Sequence, residues 1–211
     1  MDTPKIAVTI DIGPAVHQGA GLSRYTERLV SHLLNEESDR LDLTLFYNQH
    51  SNHGKPASLA QARSCSVEMG QYRWRMTALA SQIMKRPILG GFASDVGDSL
   101  PRPVYHATEH LLPNLAIPTL MTVHDLIFER YPQHHTRRNR LFLKAAMPRF
   151  VKAADAIIAV SEHTKRDLIE LYGCPTEKIY VIPEGIDDDF QPSSDSDVAD
   201  VHQRYGIRKP Y

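Results

Sequence analysis

Several things are scarce in this chain, and each scarcity excludes something. There are only two cysteines in 211 residues, Cys65 and Cys174. Their separation fits neither a metal site nor a redox pair, and so small a number fits a reducing compartment better than a disulfide framework. Charge of one sign is not in excess: the net charge is −1, which gives no global electrostatic case for nucleic acid or an acidic surface as partner. No apolar run approaches the roughly 20 residues that span a bilayer. The opening MDTPKIAVTIDIG runs into a strand without a basic-then-apolar leader. The expected location is therefore cytoplasmic. No Gly-Lys-Ser/Thr phosphate loop occurs. The glycines after the first strand lack dinucleotide-binding spacing, and no acidic residue follows the second strand in the right place. No internal repeat is visible.

What is present is an alternation of strand and helix in ordinary globular proportions, enough for one sizeable domain or one domain with a tail. Residues 153–187 show it best. An apolar run (156–160) meets a cap at Ser161, a helical pattern follows over 164–172, Gly-Cys-Pro stops it, and a β-rich run spans 179–182. Upstream, strands are expected at 5–10, 41–47, 67–69, 104–106 and 119–123, the first of them central because it is apolar on both faces. Helices are expected at about 22–34, at 73–84 with Trp74, Leu79 and Ile83 on one side and Pro87 ending it, and at 136–153. Pro148 is expected to end or kink the last. A polar loop fills 48–64, and the chain after Asp187 is polar, then weakly helical. The fold class is α/β: a Rossmann-like parallel sheet with helices on both faces.

In such sheets ligands gather beyond the carboxyl ends of the strands, and the candidate residues are sought there. Gly19 to Tyr25 opens the first long helix, where backbone amides attract an anion such as a diphosphate; a tight turn needing small residues is the plainer reading. His124 and Asp125 end the strand TLMTV. The histidine can hydrogen-bond a sugar hydroxyl or shuttle a proton, and the aspartate can simply cap a helix. His106-Ala107-Thr108-Glu109-His110 has a zinc-peptidase order, but it leaves a strand and runs into Leu-Leu-Pro, where the required helix is poorly supported. A loop over the cleft is favoured. Asp187-Asp188-Asp189 and Asp195-Ser196-Asp197 read as turn and linker aspartates rather than a metal pair. Arg137, Arg138, Arg140, Lys144, Arg149 and Lys152 lie opposite or beside Leu141, Phe142, Ala145 and Phe150. A sheet-covering helix with a solvated face is favoured over a helix lying on an anionic membrane, though peripheral membrane contact through 136–153 stays open.

In combination these stretches resemble the N-terminal domain of the family 4 glycosyltransferases, which have the two-domain GT-B fold. The resemblance rests on Gly21-Leu22-Ser23-Arg24-Tyr25, Tyr105-His106-Ala107 with Pro113, Thr122-Val123-His124-Asp125-Leu126, Val160 to Leu168, and Lys178 to Asp187. It covers most of 5–190 and is weakest over 48–102. Ser23 stands where the family often has a second glycine, and Glu184 where it usually has asparagine. The resemblance implies one half of a GT-B fold that moves a sugar from a nucleotide-sugar donor with retention of configuration, with no cofactor and no bound metal. It implies donor-diphosphate binding at Gly21, Leu22 and Ser23, and His124 at the reaction centre. Tyr105, His106, Glu109 and Asp125 become acceptor contacts, for a glycan or lipid-linked acceptor. Residues 1–190 are then the acceptor-side domain and 191–211 a linker toward a missing C-terminal nucleotide-sugar-binding domain, so that the chain alone is inactive. The alternative is a stand-alone Rossmann-like binding domain without catalysis.

Overall fold

The computed structural model describes residues 4–87, 103–187 and 190–208. Asp188 and Asp189 lie outside the described residues. Seven parallel strands form one sheet: β1 (Ile6–Asp11), β2 (Leu41–Asn48), β3 (Ser64–Val67), β4 (Val104–Ala107), β5 (Thr119–Val123), β6 (Ala156–Ala159) and β7 (Ile179–Val181). Their order is β3-β2-β1-β4-β5-β6-β7. The chain builds outward from β1 to β3, then crosses back and builds the other way from β4. The switch point between β1 and β4 is where a crevice opens in this topology.

The helices among the described residues are α1 (Gly13–Val16), α2 (Ala20–Glu36), α3 (Gln71–Met84), α4 (Ile127–Arg130), α5 (Arg137–Ala153), α6 (Glu162–Tyr172) and α7 (Asp195–Tyr205). Adjacent residues of β2 show that both sheet faces are covered, since side chains alternate along a strand. Leu45 joins a cluster with Val30 of α2 and Leu59. Its neighbour Phe46 joins a larger cluster with Trp74 of α3 and Leu143, Met147 and Phe150 of α5. The fold is thus the expected Rossmann-like α/β sandwich.

Local signals explain several boundaries. The Ser161 hydroxyl accepts the Thr164 amide at 3.0 Å and starts α6. Gly173, with φ of 60°, ends it in the left-handed region. Other expectations are corrected. Pro148 does not end its helix, which runs on to Ala153; the turn beyond it is held by Phe150 and Val151, both buried in the core. The buried stripe of α5 is Leu143, Ala146, Met147, Phe150 and Val151, whereas Leu141 is 66% exposed. Trp74 and Leu79 do share a buried face, but Ile83 is 58% exposed. α3 stops at Met84, before Pro87, with Lys85 in a left-handed cap. The third strand lies at 64–67 rather than 67–69. At Met69 the side-chain amide of Asn48 takes the place of a strand, accepting from the Met69 amide and donating to its carbonyl, each at 2.9 Å. Residues 13–16, read as loop, form a helical turn. The 191–211 stretch holds a capped helix, α7, with no buried residue.

Candidate functional site

A cavity of about 460 Å³ opens at the switch point. Its walls come from the end of β1 (Asp11) with Gly13 beyond, from the loop after β4 (Glu109, His110), from the end of β5 (His124, Asp125) and from Trp74 and Arg75 of α3. Crossover topology therefore brings together residues more than a hundred positions apart.

The floor is acidic and mostly buried. Asp11 is 3% exposed. One of its oxygens accepts the Gly13 amide at 2.7 Å and the other the Tyr105 hydroxyl at 3.2 Å. A side chain at position 13 would come within 3.1 Å of that carboxylate and 4.0 Å of Glu109, so a glycine keeps both oxygens close to one spot. Burial pushes the Asp11 carboxyl up to about 7, the charge of Glu109 adds to the push, and the Gly13 and Tyr105 hydrogen bonds oppose it. Glu109 is also raised, by burial first, against the pull of Arg75 and His124. It keeps some open surface toward the cavity although its carboxyl is desolvated. Arg75 is held by Asn139 Oδ1 at 2.7 Å and lies over the Phe142 ring, 4.1 Å from its centroid.

The rim is built differently, from charge pairs. His124 Nδ1 lies 2.8 Å from Glu184 Oε1, and Nε2 lies 3.0 Å from the Thr108 carbonyl. The Tyr25 ring meets the imidazole edge-on, with centroids 4.7 Å apart, and its hydroxyl is 3.3 Å from Thr122 Oγ1. Arg24 pairs with Asp187, which Arg28 also reaches at 3.2 Å. Thr164 Oγ1, in the first turn of α6, donates to the His124 carbonyl at 3.0 Å. Four separate sequence stretches thus meet around one histidine.

The sequence-expected residues divide accordingly. His124, Glu109 and Asp125 line the cavity, and so does Leu22. Asp125 also accepts the Ile127 amide at 2.9 Å, a turn contact of the plainer kind. Gly21 lies in the first turn of α2, beside Leu22, where helical amides have no intrahelical carbonyl to bond, whereas the Ser23 amide donates to the Gly19 carbonyl at 3.4 Å. The approach to that turn is strained: Gln18 and Ala20 have φ of 54° and 50°, each costing about 1–2 kcal/mol for a residue with a Cβ. Tyr105 and His106 are not cavity-lining. Tyr105 is fully buried behind Asp11, and His106 is 5% exposed with Nε2 2.9 Å from Thr122 Oγ1. Burial lowers His106 to about 4, with the neighbouring His124 adding to it. Neither side chain is placed for direct acceptor contact.

His106 lies in β4 and His110 in the loop after it, so the pair is not one helical turn apart. No group of three or more His, Cys, Asp or Glu among the described residues is arranged to hold a metal ion. No described helix is long and apolar enough to cross a membrane. Sequence reading missed Asp11, Trp74, Arg75 and Glu184. Asp11 carried a usable signal, a lone charge ending an apolar strand; the α3 pair carried none.

Residues 99–190 match the family model for Glycosyltransferase Family 4. A 104-residue stretch is 22% identical to O-antigen chain mannosyltransferase B of Escherichia coli, covering 49% of this chain and 27% of that protein. The solved structure of Anabaena HepE in complex with UDP and glucose superposes with a TM-score of 0.50 at 16% identity, over 97% of this chain and 51% of that one. A glycosyltransferase from Rickettsia africae superposes at 0.49 with 13% identity, over 98% and 51%. The chain thus spans about half the length of these solved structures and the match about a quarter of the curated relative. The family match over residues 99–190 takes in the loops after β4 and β5 and the segment carrying Glu184, and the sheet beneath them is Rossmann-like.

Proposed function

We propose that the chain is the acceptor-side half of a retaining hexosyltransferase, with a second domain supplying most of the nucleotide-sugar site. The observation that carries this reading is the convergence of three family-like stretches, at Tyr25, Thr164 and Glu184, on His124, which lines the cavity at the sheet's switch point. The relative from Escherichia coli is named a mannosyltransferase, and HepE was solved with UDP and glucose; a nucleotide-sugar donor is proposed here by analogy. The amides of Gly21 and Leu22 face the donor diphosphate with Ser23 beside them, His124 contacts the donor sugar, and no metal takes part. The acceptor enters over Glu109 and Asp125, with Asp11, Trp74 and Arg75 forming the deeper wall. Residues 1–190 form the domain, and the segment from 191 leads to its partner.

The test is release of nucleoside diphosphate from nucleotide sugars. The 211-residue chain is expected to release none above background, because half the diphosphate stabilisation is absent. The complete protein is expected to turn over and to lose at least about 100-fold with His124→Ala. Turnover by this chain at the complete protein's rate overturns the division into halves. An unchanged His124→Ala rate favours a binding domain instead.

A lipid-linked acceptor has its own supporting observation. Exposed Tyr72, Met76 and Leu141 sit beside Arg137 and Arg138 on the α3–α5 face, with Arg138 over the Tyr72 ring. Apolar groups rimmed by cations suit the surface of an anionic bilayer. Co-sedimentation with phosphatidylglycerol vesicles, but not with phosphatidylcholine vesicles, is the expected result; equal recovery with both removes the peripheral-membrane reading.

A further inference from the structure

The rim histidine has an unusual partner set. Its Nδ1 faces the Glu184 carboxylate at 2.8 Å and its Nε2 faces the Thr108 backbone carbonyl at 3.0 Å. Carboxylates and carbonyls only accept hydrogen bonds. A neutral imidazole has one N–H and satisfies one of the two; a ring with both nitrogens protonated satisfies both. The Glu184 bond is the charge-assisted one, and it prevails when only one proton is present.

We infer that Glu184 is the positioning residue of His124: it claims the Nδ1 proton, fixes the ring's orientation and leaves no ring lone pair facing the cavity. Tyr25 of α2 holds the ring plane edge-on. The Thr164 hydroxyl of α6 fixes the His124 carbonyl. The other titratable groups around the ring are His106 in β4, Glu109 and His110 in the loop after it, and Asp125 next in sequence. With both ring nitrogens turned to protein atoms, the histidine orients and does not take a proton from the cavity. That consequence for transfer rests on the glycosyltransferase reading; the geometry itself does not.

The test is ring-nitrogen NMR of the isotopically labelled 211-residue chain across a pH titration, with His124 signals assigned by their loss in His124→Gln. In the neutral ring the one proton is expected on Nδ1 in the wild type, on Nε2 in Glu184→Gln, and on Nδ1 again in Glu184→Asp. The wild-type half of this readout needs no variant, so a misfolded mutant does not obstruct it. Glu184 is half-exposed and lies in a loop, and amide spectra of the sheet report whether the fold is kept. A wild-type proton on Nε2, or the same tautomer with and without the carboxylate, overturns the assignment. No donor or acceptor is needed, so failure here leaves the proposed transfer reaction standing. An inactive complete protein would likewise leave the ring spectra unaffected.

Discussion

The cavity floor and the cavity rim use the same residue types in opposite ways. On the floor, Asp11 and Glu109 are desolvated, and both carboxyls are raised. On the rim, Glu184 meets His124, and Asp187 meets Arg24 and Arg28; here the Arg24 hydrogen bond holds the Asp187 carboxyl below its usual range. A buried carboxyl beside another resists ionising, whereas one beside arginines ionises readily. The floor is therefore suited to reading neutral hydroxyls, and the rim to holding fixed charge.

Asp11→Asn gives the largest expected break in this contrast. Asp11 binds its proton up to about 7 in the folded chain, against an ordinary value of 3.8. Between those two values the folded state holds more protons than the unfolded one, so Asp11's contribution to stability falls as pH rises through that window and is constant above it. Asparagine removes this loss. Relative to wild type, the variant should gain up to about 4 kcal/mol between about pH 4 and pH 8, from roughly three units at 1.36 kcal/mol each. Urea denaturation of both proteins at the two pH values measures it. The difference matters rather than either slope, because His106, lowered by burial, pulls wild-type stability the other way. Parallel slopes would mean that Asp11 is ionised on a wet floor.

Thr164→Val comes next and acts on the rim. The hydroxyl is buried, donates to the His124 carbonyl at 3.0 Å and lies 3.0 Å from Ser161 Oγ. Valine keeps the shape and leaves an acceptor unpaired, at about 1–2 kcal/mol. The midpoint of thermal or urea unfolding reads that cost. A loss below about 0.5 kcal/mol would show that His124 is held by its side-chain partners alone.

The sheet was legible because strand patterns are local. The run Thr119–Val123 has the expected bounds, and Ser161 caps α6 as its position suggests. The floor was less legible. Its residues come from β1, the β4 loop and α3, and only the crossover at the switch point makes them neighbours. Tyr105 and His106 illustrate the limit: a strand's end can be read from sequence, but not which of its side chains reaches the cavity and which packs behind it. The left-handed turns at Gln18 and Ala20 gave no signal either, since neither residue favours that conformation. This makes Ala20→Gly the third prediction. Removing the Cβ should stabilise the chain by about 1 kcal/mol in urea unfolding, and a destabilised variant would show that the opening of α2 is not strained.

Asp187→Asn is expected to have the smallest effect on stability. Arg24 and Arg28, its partners, are 71% and 53% exposed at their side chains, so water and salt screen the pair and long side chains lose entropy in making it. Urea unfolding should not distinguish the variant from wild type at moderate salt. The local effect is separate from the global one. Asp187 ties the chain leaving β7 to α2, next to the turn that presents Gly21 and Leu22. Losing the tie should speed amide exchange in 183–187 while the sheet exchanges as before, because local opening draws on few buried contacts. Ile186, 80% exposed, shows how little else holds that segment down. If the variant instead unfolds at measurably lower urea, the rim pair carries stability that exposure should have screened, and the division between a buried, costly floor and a wet, inexpensive rim fails at its weakest member.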